Sequence, residues 1–231
     1  MTPFELSGRR VVVTGGLGAL GRAVGEVLAA CGARVVLLDR STGAQPPGAV
    51  VAVVAADLAD AAAARAGIAQ AAAALGGIDA LVNVAGGFAW ETVEHGLPDT
   101  WDRLYSMNLR SALLASQAAL PHLLAQPGSA IVNVGALAAG KAGTGMGAYA
   151  ASKAGVARLT EAMAEEFKDR GLRVNAVLPS ILDTPANRAE MPDADASRWV
   201  SPQALARVIA FLLSDDAAPV TGALLPVAGR V

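Results

Sequence analysis

The chain has 231 residues, of which 54% are hydrophobic and 16% charged, and its formal net charge is −2 at pH 7. This length suits one large α/β domain, and the nearly neutral charge argues against a nucleic-acid partner, because phosphate binding needs a basic face. No apolar stretch reaches the roughly 18 residues that span a bilayer, and a single cysteine, Cys31, excludes an intrachain disulfide, so we expect a cytoplasmic protein without a membrane partner.

Apolar runs of strand length alternate with helical segments along the chain. The predicted strands are residues 10–15, 34–39, 49–57, 79–86, 129–136 and 172–179, and the predicted helices are residues 19–31, 60–75, 99–124, 149–169 and 202–213. This alternation predicts a parallel sheet with right-handed crossovers and helices on both faces. The Gly/Pro stretch at 41–48 is predicted to be a turn rather than a domain linker.

The first predicted strand runs into the glycine-rich stretch "TGGLGALG" at 14–21, which opens a helix. Glycines allow a tight turn and a close approach of the backbone to a pyrophosphate, whose charge then lies at the helix amino terminus. The strand–turn–helix context favours a dinucleotide site over a glycine-rich loop that binds nothing.

Acidic residues end the next two strands. Asp39 can accept hydrogen bonds from the ribose hydroxyls and would repel a 2'-phosphate, which favours NAD over NADP. Arg40 leaves NADP open, because a guanidinium can hold that phosphate. Asp57 is interpreted either as an adenine contact or as a solvated strand end.

Tyr149 and Lys153 are four residues apart on a predicted helix, so both side chains can reach one site. The lysine ammonium is expected to lower the pKa of the phenol toward a value that suits proton transfer. The alternative is a half-buried tyrosine beside a lysine whose stem packs on the surface. The following residues 180–199 lack periodicity and are predicted to form a long functional loop.

Taken in chain order, these motifs resemble those of the short-chain dehydrogenase/reductase family along essentially the whole chain. "TGGLGALG" matches the cofactor turn of the family, with Ala19 where glycine is usual, and "NVAG" at 83–86 matches its fourth strand end. Asn108 stands at the family's asparagine position, and "YAASK" at 149–153 matches its catalytic motif. "RVNAVLPSILDT" at 173–184 matches a further segment, with Ser180 in place of glycine.

The resemblance implies one Rossmann-type domain over residues 1–231, with a doubly wound parallel sheet of about seven strands in the order 3-2-1-4-5-6-7 and a substrate loop at about 180–201. It implies Tyr149, Lys153 and Asn108 as catalytic residues. Implied cofactor contacts are Gly15, Gly16, Gly18, Leu20, Gly21, Asp39, Arg40, Asp57, Leu58, Asn83, Ala85, Gly86, Tyr149, Lys153, Pro179, Ile181 and Thr184. A catalytic metal is not expected, because His95 and His122 have no metal-ligand spacing.

The family places a serine, which binds the reacting carbonyl, thirteen residues before the tyrosine, and Ala136 occupies that position here. Loss of such a donor can slow a reaction on the order of 10²-fold or more. Residues 135–149 and 176–199 also resemble the dihydropteridine reductases of the family, which lack this serine and use NADH. This local resemblance implies a planar acceptor bordered by Phe88, Trp90, Ala136 and Trp199, although Asn108 belongs to the ordinary family pattern.

Three functions therefore stand as hypotheses. The first is an NADH-dependent reductase of a small, planar acceptor. The second is an ordinary alcohol or ketone dehydrogenase that tolerates Ala136, and the third is a catalytically weak dinucleotide-binding protein. The resemblance also implies a homodimer or homotetramer that pairs through the two long helices at 99–124 and 149–169.

Overall fold

The computed structural model describes residues 4–42 and 50–231. Seven parallel strands form one sheet in the order β3-β2-β1-β4-β5-β6-β7, which confirms the predicted topology. The strands are β1 Arg10–Thr14, β2 Arg34–Asp39, β3 Ala52–Ala55, β4 Ala80–Asn83, β5 Ala130–Val134, β6 Arg173–Pro179 and β7 Leu224–Val227. Most of the predicted turn at 41–48 lies outside the described residues.

The helices cover both faces of this sheet, as the alternating pattern predicts. They are α1 Ala19–Ala30, α2 Ala61–Leu75, α3 Pro98–Leu104, α4 Ser111–Leu123, α5 Gly147–Phe167, α6 Pro185–Glu190 and α7 Pro202–Leu213. Successive residues of β1 point to opposite faces: Val11 and Val13 pack with Ile209 of α7, and Val12 packs with Ile68 of α2. Because both faces of the sheet are covered, the central residues Val11, Val12 and Val13 are all fully buried, which explains this continuous hydrophobic run.

The alanine-rich segment is an ordinary helix, as its composition predicts. The Asp60 side chain accepts a hydrogen bond from the Ala63 N–H at the start of α2, and Gly76 ends the helix in the left-handed conformation with φ of 79°. These two residues supply a start and a stop signal for a helix that has little amphipathic pattern of its own.

The predicted helix at 99–124 is not continuous. A π-helical segment, Tyr105–Arg110, separates α3 from α4 and contains Asn108. A π-helical turn inserts an extra residue into the hydrogen-bond ladder, which changes the direction in which a side chain points. Helical periodicity in the sequence does not reveal this change.

Several strand predictions also differ from the structure: β3 covers Ala52–Ala55 rather than 49–57, and β5 covers Ala130–Val134 rather than 129–136. The fourth strand ends at Asn83 rather than at 86, so that residues 84–86 leave the sheet. The short edge strand β7, Leu224–Val227, was not among the strands predicted from the sequence pattern, because its four residues are only partly buried and include a proline.

The position of the site follows from the strand order. β1 lies between β2 and β4, so the chain first builds the sheet in one direction and then returns to build it in the other. The loops leave β1 and β4 toward opposite sides, which opens a crevice at their carboxyl ends. Ligands of open parallel sheets bind in such a crevice.

Candidate functional site

A cleft of about 1310 Å³ lies at the carboxyl ends of the strands. It brings together most of the residues implied by the family resemblance. Those that line it are Gly15, Gly18, Leu20, Gly21, Asp39, Arg40, Asp57, Leu58, Ala85, Gly86, Phe88, Trp90, Ala136, Tyr149, Lys153, Pro179, Ile181 and Thr184. Gly16, Asn83, Asn108 and Trp199 are not among its lining residues.

The glycine turn after β1 is shaped for close backbone contacts. Gly15 has φ of 61°, and a Cβ built on it would lie 2.8 Å from the backbone of Ala85. A Cβ on Gly21 would collide with the carbonyl oxygen of Gly15, so the first turn of α1 packs directly on the loop. No side chain caps the amino terminus of α1 at Gly18, and its first residues, Ala19, Leu20 and Gly21, line the cleft, which fits a pyrophosphate.

Asp39 connects the end of β2 to this turn. One carboxylate oxygen accepts a hydrogen bond from the Leu17 N–H at 2.9 Å, and the other accepts one from the Arg40 N–H at 2.7 Å. The carboxylate is therefore held at the edge of the cleft. Arg40 is exposed, and Asp57, which follows β3 rather than ending it, accepts a hydrogen bond from the Ala59 N–H at 2.9 Å.

Two of the predicted cofactor residues lie behind the cleft. Asn83 is buried, and its Nδ2 donates to Ser116 Oγ at 3.0 Å and to Asn133 Oδ1 at 2.9 Å. A Cβ on Gly16 would lie 2.5 Å from the Cβ of Leu37, so this glycine allows the turn to pack on β2. Both residues support the cleft without lining it.

Tyr149 and Lys153 lie in the first turns of α5 and line the cleft. Lys153 is only 5% exposed, and its Nζ donates to the carbonyl oxygen of Val134 at 2.8 Å. Burial lowers the pKa of Lys153 to about 8, because a charged amine loses the solvation of water.

The pKa of Tyr149 differs from the expectation. Burial raises the pKa of its phenol to about 12, whereas the sequence predicted that the nearby ammonium would lower it. The physical reason is that the phenolate form loses solvation in the cleft, while the lysine ammonium is directed to the Val134 carbonyl. The phenol of Tyr149 therefore holds its proton strongly in this structure.

Asn108 acts as a link between elements. Its Oδ1 accepts from the Gly87 N–H at 2.8 Å, and its Nδ2 donates to the Gly87 carbonyl at 3.1 Å and to Ser152 Oγ at 2.9 Å. Ser152 Oγ donates in turn to the Tyr149 carbonyl at 2.7 Å. The asparagine thus connects the loop after β4 to the helix that carries Tyr149.

The part of the cleft around Tyr149 is mainly apolar. Ala136 is buried at the start of a short 3₁₀ turn and lines this part. The Phe88 ring meets the Tyr149 ring edge to face, with centroids 5.0 Å apart and an interplanar angle of 80°. Trp90 is 61% exposed at the rim, and a Cβ on Gly145 would collide with its ring.

The loop at 180–201 has a defined structure. A β-bridge pairs Leu182 with Val200, and Thr184 caps α6 by accepting a hydrogen bond from the Asn187 N–H at 3.2 Å. Helix α6 contributes to the wall of the cleft, whereas Trp199 does not line it and remains a prediction without support from the geometry.

Sequence reasoning missed several lining residues and one linking residue, Ser152. The missed lining residues that matter most are Leu137, Ala138, Met146, Asn187, Glu190 and Met191. Most belong to residue types that are as common in cores and on surfaces as in pockets. Their only signal in the sequence was their proximity to Ala136, Tyr149 and Thr184.

Across residues 4–42 and 50–231, no three or more His, Cys, Asp or Glu side chains are grouped in a way that could hold a metal ion. Within the same residues, every helix is too short or too polar to cross a membrane.

Comparisons with known proteins agree on one family. The family model described as short chain dehydrogenase matches residues 9–195. The chain is 32% identical to 2-(S)-hydroxypropyl-CoM dehydrogenase 3 of Xanthobacter autotrophicus, covering 97% of both chains. It is 33% identical to L-xylulose reductase of Bos taurus, covering 98% of this chain and 97% of the relative.

A solved structure shares the fold. It is a short chain dehydrogenase from Burkholderia cenocepacia in complex with NADP, with a TM-score of 0.89 and 33% sequence identity. The alignment covers 97% of this chain and 98% of that one.

Proposed function

The chain belongs to the short-chain dehydrogenase family and is an NAD(P)-dependent oxidoreductase, and from this premise we propose that it uses NADH to reduce a small, planar acceptor. The observation that carries the proposal is Ala136, a buried methyl group at the position where the family has a carbonyl-binding hydroxyl. Tyr149 and Lys153 are retained in the same cleft.

The surroundings of Ala136 favour an acceptor that is not a ketone. Among the described residues, the other serine and threonine hydroxyls that line the cleft each have a partner: Ser111 Oγ donates to the Met107 carbonyl, Ser180 Oγ donates to the Ala228 carbonyl, and Thr184 Oγ1 accepts from the Asn187 N–H. A conjugated ring, such as a quinonoid dihydropterin, can accept hydride without forming a tetrahedral alkoxide, so it needs this donor less. Phe88 and Trp90 offer flat apolar surfaces to such a ring.

The roles of the residues follow from their contacts. A bound nicotinamide supplies the hydride. Tyr149 holds the proton that the acceptor receives, and Lys153, fixed on the Val134 carbonyl, places a positive charge near the phenol. The α6 segment borders the cleft, where it would limit access of water to a bound ligand.

Asp39 supports NAD as the preferred cofactor. Its carboxylate is held at the cleft edge by two backbone N–H groups, where it would accept from ribose hydroxyls and repel a 2'-phosphate. We expect NADH to bind more tightly than NADPH in a fluorescence titration. In Asp39→Ser the Kd values for the two cofactors should be closer to each other. Tighter binding of NADPH to the unaltered protein would contradict this assignment.

The names of the relatives favour a second candidate. L-xylulose reductase and 2-(S)-hydroxypropyl-CoM dehydrogenase 3 are named for carbonyl or alcohol substrates, so an alcohol or ketone dehydrogenase that works without the serine is the alternative. A protein that only binds the dinucleotide is the third candidate, which the retained Tyr149 and Lys153 disfavour.

One paired assay separates these candidates. Oxidation of NADH and NADPH is followed with quinonoid dihydropterin and with a panel of ketones, for the unaltered protein and for Tyr149→Phe. The proposal expects turnover with the pterin and a loss on the order of 10²-fold or more in Tyr149→Phe. Turnover with ketones alone favours the second candidate, and tight NADH binding without any turnover favours the third.

A further inference from the structure

The chain segment after β7, residues 228–231, lies against the base of the loop at 180–201. Ser180 Oγ donates to the Ala228 carbonyl at 2.6 Å, and the Arg230 N–H donates to the Arg198 carbonyl at 2.9 Å. Val231 lines the cleft beside this loop. The segment therefore contacts both ends of the loop, at Ser180 and at Arg198, and reaches the cleft itself.

Two arginines join the segment and the loop reciprocally. Arg198 donates from Nε and Nη2 to the Arg230 carbonyl at 2.9 and 2.7 Å, and Arg230 Nη2 donates to the Ser197 carbonyl at 2.8 Å. The two backbones approach closely, since a Cβ on Gly229 would lie 2.8 Å from the Arg198 carbonyl oxygen. Gly229 has φ of 65°, a conformation that glycine adopts without strain.

The end of the loop that Arg198 holds, residues 197–200, pairs with the start of the loop, residues 181–184, which lines the cleft. The Val200 N–H donates to the Ile181 carbonyl at 3.0 Å, and the Asp183 N–H donates to the Val200 carbonyl at 2.8 Å. Ile181 and Thr184 both line the cleft. Holding residues 197–200 in place therefore also positions the residues that would contact a ligand.

We propose that Arg198 and Arg230 are positioning residues that form a clasp, which orders the loop at 180–201 before a ligand binds. A loop that is already ordered loses little conformational freedom on binding, so the clasp raises ligand affinity without touching the ligand. The inference rests on the proposed function only in using NADH as the ligand whose affinity is measured.

The test compares Arg198→Ala, Arg198→Lys and Arg230→Ala with the control Arg207→Ala, which removes an exposed arginine of α7 that is not part of the loop at 180–201. Hydrogen exchange is measured by mass spectrometry over residues 185–199, and the Kd for NADH by fluorescence titration. Circular dichroism establishes that each variant is folded.

The contacts predict a graded result. Arg198→Ala loses two hydrogen bonds and is expected to raise exchange in this segment about 10-fold and the Kd about 3- to 10-fold. Arg230→Ala loses one side-chain bond but keeps its carbonyl, so both effects are smaller. Arg198→Lys can restore one bond, so its exchange rate and its Kd should lie between those of Arg198→Ala and those of the unaltered protein. Both values for Arg207→Ala should equal those of the unaltered protein.

Two outcomes overturn the clasp: exchange and Kd in Arg198→Ala that equal those of the unaltered protein, or equal changes in Arg207→Ala. Faster exchange with an unchanged Kd overturns the effect on affinity. If Arg198→Ala does not fold, Arg198→Lys and Arg230→Ala decide by the same criteria. If the unaltered protein does not bind NADH, the proposed cofactor fails, and hydrogen exchange alone decides whether the clasp orders the loop.

Discussion

Burial in the same cleft shifts the pKa values of Lys153 and Tyr149 in opposite directions. Burial lowers the pKa of the lysine to about 8 and raises that of the phenol to about 12, because water no longer solvates either charged form. The lysine is held by the Val134 carbonyl, which keeps the amine in place without neutralising it. A charge that costs free energy in the fold is thus retained beside the candidate proton donor.

We expect the free energy of unfolding to depend on pH through Lys153. Between pH 8 and 10.5 the unfolded lysine is protonated while Lys153 in the fold is not, so this residue makes stability rise with pH in that window and makes it lowest below pH 8. We expect stability relative to Lys153→Met to increase by up to about 3 kcal/mol across the window, which is the shift converted at 1.36 kcal/mol per unit.

Urea unfolding at several pH values checks this prediction. The comparison with Lys153→Met also removes the contribution of Tyr149, whose raised pKa lowers stability only between about pH 10 and 12. Parallel pH profiles of the two proteins between pH 8 and 10 would contradict the assigned pKa of Lys153.

One substitution restores the missing hydroxyl at position 136. Ala136→Ser places a donor at the cleft wall, where it can stabilise a developing oxyanion, and we expect ketone reduction to rise on the order of 10- to 100-fold. Turnover of a planar acceptor should not rise in parallel. The measurement is kcat/KM on the ketone panel.

Ala138→Ser serves as the matched control, because Ala138 also lines the cleft and lies two residues away. It adds the same hydroxyl at a different point of the wall and should not increase ketone reduction. If Ala136→Ser does not reduce ketones, the shape of the pocket excludes them, and the missing hydroxyl is not the cause.

At the scale of elements, a side-chain hydrogen bond joins the π-helical segment to α5. Asn108 Nδ2 donates to Ser152 Oγ at 2.9 Å, and both residues are buried. Asn108 also holds both backbone groups of Gly87, so the loop after β4, the π-helical segment and the helix with Tyr149 meet at one asparagine. Their relative placement depends on this amide.

We therefore predict that Ser152→Ala destabilises the protein by about 1–3 kcal/mol, because it leaves a buried amide donor without this partner. Ser152→Thr retains the hydroxyl and should recover much of the loss. Urea unfolding measures both. A Ser152→Ala variant as stable as the unaltered protein would show that the contact contributes nothing net to the fold.

At the scale of the whole molecule, the exposed apolar side chains are concentrated in one region. Of the eight large hydrophobic residues that are exposed in the described part of the chain, six lie between 88 and 105. Trp101 of α3 is 42% exposed, and its ring lies 3.3 Å from the position of a Cβ on Gly147 at the start of α5. This apolar patch at 88–105, which contacts the start of α5 through Trp101, supports the proposal of a homodimer or homotetramer.

Trp101→Glu tests this proposal, because a charge buried in an interface of two copies is costly. We expect sedimentation velocity to show a smaller assembly than for the unaltered protein. Val51→Glu is the control, since Val51 is an exposed apolar residue outside the patch. An unaltered protein that sediments as a monomer, or a Trp101→Glu variant with the same assembly, would contradict pairing through this surface.

The sequence predicted the elements better than their ends and irregularities. Six strands and the long helices follow from apolar runs and glycine stops, which are local signals. Tyr105–Arg110 escaped prediction because a π-helical turn has the same composition as an α-helix, and β7 escaped because four half-exposed residues carry little pattern. Trp199 shows the limit of carrying over a site residue, since its segment matched but its side chain does not line the cleft.

The sequence by itself determined the parallel α/β architecture through its alternating pattern, and its motifs in linear order identified the family, which in turn implied the strand order and the departure at Ala136. Only the tertiary structure decided the environment of Lys153 and Tyr149, the link from Asn108 to Ser152 and the contact of Arg198 with Arg230. Burial and long-range hydrogen bonds depend on which segments meet in space, and residues 32 apart along the chain, as in the arginine pair, give no local signal of their contact.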